Sequence, residues 1–120
     1  MEIQASGRSN RGHALETVVL NELERRKAEV AYVKTGEGFE VDFHVRRRAG
    51  GEELVQVCAD ASAADTMDRE LRALASAAGE FPRASRRLLV LDRDQALRVT
   101  ARGVQVQPAY EWLLAEPPVR

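Results

Sequence analysis

Two short runs with a period of two, separated by a pair of glycines, constrain this chain more than anything else in it. In Phe39-Glu40-Val41-Asp42-Phe43-His44-Val45 apolar residues alternate with polar ones, the pattern of a strand with one buried face. Strict alternation puts Phe39, Val41, Phe43 and Val45 on one side and lines up Glu40, Asp42 and His44 on the other. In Glu53-Leu54-Val55-Gln56-Val57-Cys58 the same period sets Val55 and Val57 against Leu54, Gln56 and Cys58. The polar stretch between the runs, Arg46 to Glu52, contains Gly50-Gly51 and suits a hairpin turn. The two strands are therefore expected to be antiparallel, with Asp42 facing positions 56 and 58 across the ladder.

Upstream, Leu15, Val18, Val19, Leu20 and Leu23 recur at helical spacing between Gly12 and about Lys27, which predicts an amphipathic helix. Glu16 precedes Val19, Leu20 and Leu23 by three, four and seven positions, at the edge of the buried stripe, so its carboxylate is expected to point towards the sheet. The plain alternative is an early-turn acid complementing the helix dipole, worth about 0.3–1 kcal/mol. Val30 to Thr35 reads as a strand turned by Gly36-Glu37-Gly38 into the Asp42 strand. Residues 1–11 read as a flexible lead-in, or as the cut end of a longer protein, and 12–120 as a single domain.

Downstream, Asp65 or Thr66 offers a cap for a helix over 66–79, with Met67, Leu71, Leu74, Ala75 and Ala78 as its stripe. The apolar run Leu88 to Leu91 predicts a strand buried on both faces and parallel to an earlier one. Leu97-Arg98-Val99 and Val104-Gln105-Val106 are expected to form a small β pair around residues 100–103. Pro108 opens a last helical turn that anchors Trp112.

Composition narrows the function. With 18 basic and 19 acidic residues in 120, the chain has no global positive field to gather nucleic acid. Any DNA contact must be local, and Arg46, Arg47 and Arg48 are the candidate phosphate-binding group. One cysteine and two histidines exclude an internal disulfide and a cysteine-cluster zinc site. The expected home is a reducing cytoplasm. No run approaches the roughly 20 apolar residues of a membrane span.

The order helix, three strands, helix, strand resembles the αβββαβ core of restriction-endonuclease-like domains, and Asp42 with Gln56-Val57-Cys58 resembles the PD-(D/E)xK motif. A closer resemblance rests on five blocks in order: Gly12 to Glu16, Glu40 to Phe43, Val55 to Cys58, Thr66 with Arg69-Glu70-Leu71, and Pro108 to Leu114. Together they look like the C-terminal PD-(D/E)xK-like domain of a group of prokaryotic AAA+ ATPases. This implies an α/β (α+β) fold with a mixed central sheet flanked by helices, a small C-terminal β pair and a short helix. It also implies a catalytic position formed by Asp42, Gln56, Cys58 and Glu16, with Asp42, Glu16 and Gln56 as ligands of a weakly held Mg²⁺. Cys58 stands where the motif has its lysine, and a thiol cannot supply that cation.

No G-x-x-x-x-G-K-[ST] occurs, so this stretch is expected to bind no nucleotide itself. The implied partners are an upstream ATPase domain of its own chain, DNA, or a second copy, with no membrane. Three functions follow: an active Mg-dependent nuclease with an altered site, a catalytically degenerate accessory domain acting in nucleic-acid binding or regulation, or a purely structural or dimerisation tail. The missing lysine favours loss of catalysis.

Overall fold

The computed structural model describes residues 10–61 and 63–115. Helix α1 (Asn10–Arg25) leads into strands β1 (Glu29–Lys34), β2 (Glu40–Arg46) and β3 (Glu52–Cys58). Helix α2 (Ala64–Glu80) crosses to β4 (Ser85–Val90), after which α3 (Arg93–Arg98), β5 (Val104–Pro108) and α4 (Ala109–Leu114) complete the chain. The fold is α+β, with one mixed sheet in the order β1-β2-β3-β4-β5. The first three strands form an antiparallel meander, and β4 and β5 add to it in parallel. Because β4 and β5 extend the sheet beyond β3, the central strand is β3, with β2 beside it.

Each face of the sheet has its own apolar layer. Val41, Leu54, Cys58, Leu88 and Val90 pack with Met67, Ala73, Leu74 and Ala77 of α2. Phe43, Val45, Val55, Val57 and Leu89 pack with Val19 and Leu23 of α1 and with Ala109 and Trp112 at the chain's end. Leu88, Leu89 and Val90 are fully buried and split between the layers, which is why their sequence is continuously apolar. A fully buried leucine contributes about 1.5–3 kcal/mol.

Turn chemistry closes the β2–β3 hairpin as the glycine pair predicts. Gly50 and Gly51 take φ of +102° and +94°, a region in which side chains are strained. At the other end of α1, Arg26 stacks over Trp112 at 4.4 Å and donates to the carbonyls of Trp112 (2.9 Å) and Ala115 (3.1 Å). Trp112 is buried, the anchor its sequence position suggests. Glu22 receives both Arg25 and Arg26; chiefly the Arg25 hydrogen bond, working against burial, holds its carboxyl down to about 2.

Two local expectations change. Residues 97–99 do not form a strand: Arg93–Arg98 is helical because the Asp92 side chain accepts the Gln95 N–H at 2.9 Å, and this cap outweighs a three-residue β-prone run. Val104–Pro108 is a strand, but it pairs parallel with β4 in the main sheet. The cap expected at Asp65 or Thr66 is also displaced, since α2 starts at Ala64 with Ala63 before it and Asp65 in the first turn, where its charge complements the helix dipole. Of the predicted lead-in, only Asn10 and Arg11 are among the described residues, and they open α1. No helix among the described residues is long and apolar enough to cross a membrane.

Candidate functional site

The β2–β3 ladder runs from Arg46↔Glu52 to Phe43↔Val55 and stops there. Beyond that point the strands are joined through side chains. The Asp42 N–H donates to Gln56 Oε1 at 2.8 Å, and the Val57 N–H donates to Asp42 Oδ2 at 2.8 Å. The Gln56 amide nitrogen donates to the Glu40 carbonyl at 3.1 Å and to Glu70 Oε1 at 2.9 Å. One side chain from each strand thus bonds backbone of the other, and Gln56 extends the tie to α2.

A bulge in β2 accounts for this break. Ala31 pairs with His44 and Val33 with Val41, so two steps along β1 match three along β2. One additional residue reverses the alternation. Val41, with Phe39 beside it, therefore faces the α2 layer while Phe43 and Val45 face the α1 layer, contrary to the single apolar face that alternation predicts. His44 alternates with Phe43 and Val45 and so faces the α2 side, which is covered as well. It is buried, stacks on Phe81 at 4.4 Å and hydrogen-bonds Glu52 Oε2 at 2.6 Å through Nε2.

The residues expected to form a site come together in part. Asp42 and Gln56 meet in the gap between the strands. Cys58 is 2% exposed and packs in the α2 layer with Val41, Leu54 and Leu88. Glu16 is half-buried on α1, and its charge reaches the Tyr32 phenol together with those of Glu40 and Asp42. Desolvation first, then a hydrogen bond to Glu40 and the three carboxylates, push that phenol up to about 12. Glu16 and Asp42 therefore border the same end of the sheet.

Glu70, Glu40 and Tyr32 belong to this region, yet sequence reasoning gave them no role there. Glu70 carried a signal: it lies between Met67 and Leu74 on the buried stripe of α2, where a carboxylate requires a hydrogen-bonding partner.

The three arginines of the turn do not act as one group. Arg47 reaches the buried Glu53 at 3.2 Å, and Arg87 approaches the same carboxylate at 2.9 Å. Arg46 and Arg48 are exposed, with Arg46 opposite Glu29 in the ladder.

As arranged, these residues do not fit the Mg²⁺ that the motif implies. The Gln56 oxygen is turned to the Asp42 N–H, and its nitrogen faces Glu40 and Glu70. Asp42 Oδ2 holds a backbone N–H. A hard cation needs several charged or carbonyl oxygens converging on one point, and among the described residues no three Asp, Glu, His or Cys side chains gather in that way. No family model, curated protein or solved structure matches the chain.

Proposed function

We propose that this chain is a nuclease-like domain that does not cleave nucleic acid and serves as a regulatory accessory module, through protein contacts, of the AAA+ ATPase type that its five motif blocks resemble. The observation that carries this reading is the exchange of hydrogen bonds between Asp42, Gln56, Val57 and Glu70. Metal-dependent hydrolysis needs acidic oxygens presented to a cation and a water. In this chain the equivalent oxygens hold the backbone together. The lysine of the motif would place a positive charge where negative charge develops, a contribution of about 10²- to 10³-fold in turnover. Cys58 supplies a small, buried, neutral group there instead.

Protein contact is favoured over nucleic-acid contact because Arg47 is committed to Glu53 and the chain's net charge is −1. Phosphate binding needs local cations that are not already paired.

The test is a cleavage assay of the purified chain on single-stranded, duplex and branched DNA and on RNA, with Mg²⁺ or Mn²⁺ and with Asp42→Ala as the contamination control. The expected result is no metal-dependent cutting above the control. Robust cutting that disappears in Asp42→Ala overturns the reading. The double exchange Gln56→Glu with Cys58→Lys restores the motif on paper, yet it sets a second carboxylate against Glu70 and an ammonium inside the α2 layer. It is expected to lower stability without restoring cleavage, as urea unfolding and the same assay would show.

A further inference from the structure

Strand β1 forms the outer edge of the sheet. Two hydrogen bonds fix which of its backbone groups face outward. At one end the Thr35 N–H bonds the Phe39 carbonyl, one step beyond Lys34↔Glu40, so by alternation Val33 faces β2 and Lys34 faces away. At the other end the Arg47 N–H bonds the Gly51 carbonyl, so Phe43 and Val45 turn to β3 while His44 and Arg46 turn to β1. Ala31 and Glu29, their partners, therefore face inward. Val30, Tyr32 and Lys34 are left with their N–H and C=O groups directed away from β2.

The side chains fit the same conclusion. Tyr32 is 63% exposed. A groove of about 380 Å³ follows this edge, lined by β1 with His44, Arg46 and Phe81. The opposite edge differs, since β5 ends at Pro108, which has no N–H to offer, and α3 and α4 both pack against it. Natural edge strands are commonly blunted by proline, bulges or charged side chains, lysine above all, and β1 has one such residue in Lys34. In this sheet the bulge lies on β2, behind the edge, and leaves β1 regular.

We propose that β1 is the seam of a symmetric dimer, two copies pairing antiparallel with Tyr32 on the two-fold axis. A dyad normal to the sheet keeps each face on its own side, so residues can pair only with others of equal parity. Pairing Tyr32 with its copy, Val30 with Lys34 and Ala31 with Val33 meets that condition and joins all the outward groups in about six N–H···O bonds. This register sets no like charges opposite each other. It lays the aliphatic stem of Lys34 over Val30 and lowers Val33 of the second copy beside the small Ala31, at the groove in front of His44 and Phe81. The seam is short, so association is expected to be weak and dependent on concentration.

The experiment is sedimentation equilibrium of the whole chain over a wide concentration range, with two variants. Wild type should move from one chain to two. Tyr32→Pro removes an outward donor without taking a bond from β2, and should weaken association about tenfold or more. Tyr32→Cys should cross-link under mild oxidation, because Cα atoms of a bonded antiparallel pair lie about 5.5 Å apart, within disulfide range. Val30→Cys, whose partner is Lys34, should not. A wild type that stays monomeric throughout, a Tyr32→Pro chain that associates as well as wild type, or equal cross-linking of the two cysteine variants would each overturn the proposal.

Discussion

The two halves of the β2–β3 hairpin satisfy their backbones in different ways. From Phe43 to Arg46, opposite Glu52 to Val55, the strands pair backbone to backbone, and the side chains are left to fill the two apolar layers or reach the rim. From Glu40 to Asp42, opposite Gln56 and Val57, a carboxylate and an amide hold the main chains in place. A regular ladder tolerates side-chain change because its hydrogen bonds do not depend on residue identity. The splayed end has no such reserve, since removing one side chain takes a hydrogen-bond partner from several groups at once. Identity at Asp42 and Gln56 can therefore be demanded by structure alone, in positions where the nuclease motif demands it for chemistry.

The largest effect should separate the halves by substitutions of similar volume. Gln56→Leu leaves the Asp42 N–H, the Glu40 carbonyl and the buried Glu70 carboxylate without their amide partner. The expected loss is about 3 kcal/mol or more in urea unfolding. Leu54→Met, two residues away in the paired half, should cost about 1 kcal/mol. Equal losses at the two positions would show that the side-chain ties are not what holds the open end.

A smaller and sharper contrast lies at Asp42. Asparagine keeps an oxygen for the Val57 N–H and alanine does not. Asp42→Ala is expected to cost about 1–2 kcal/mol and to speed hydrogen exchange at the Val57 amide, while Asp42→Asn should stay within about 1 kcal/mol of wild type. If asparagine is as damaging as alanine, the negative charge matters beyond this hydrogen bond and the structural reading of Asp42 fails.

How much of this was legible in the sequence depends on which force decided each element. Helices α1 and α2 and strands β1 to β4 follow from apolar periodicity, because burial is what forms them. The Leu97 to Val99 segment was misleading because a single cap at Asp92 decided it, a hydrogen bond that apolar patterning does not contain. The sidedness of β2 was also hidden. Alternation assumes two residues per repeat, and a one-residue bulge between Val41 and His44 cancels it without any glycine or proline to mark the place. Parity and the hairpin bring Asp42 to positions 56 and 58 alike, but they do not say that the face carrying Gln56 and Cys58 is packed against α2. The structure places Cys58 in the core. Glu70 was readable as an acid on an apolar stripe; its partner was not, because the contact joins α2 to β3 across a tertiary interface that local patterning does not contain.

The smallest expected effect tests whether the open end is ordered as a unit, and Tyr32 is the probe. Its phenol lies opposite the bulge and is held up to about 12 by desolvation and then by Glu40, with Asp42 and Glu16 adding to the effect. Glu40 is thus used twice, its carbonyl by Gln56 and its carboxylate by Tyr32. Glu40→Gln removes the charge, so the phenol should ionise at lower pH, read by ultraviolet absorbance with Tyr32→Phe to assign the transition. Asp42→Asn should move it the same way by less. The sign for stability follows from the neutral form being favoured in the fold: the contribution is complete below about pH 10, where an unfolded tyrosine begins to ionise, and is lost as pH rises through about 12. Because Tyr32 is mostly exposed, the change in unfolding midpoint over that window should be small. A Tyr32 transition indifferent to Glu40→Gln would mean that the Glu40 carboxylate does not reach the phenol, and that the open end lacks the order its hydrogen bonds describe.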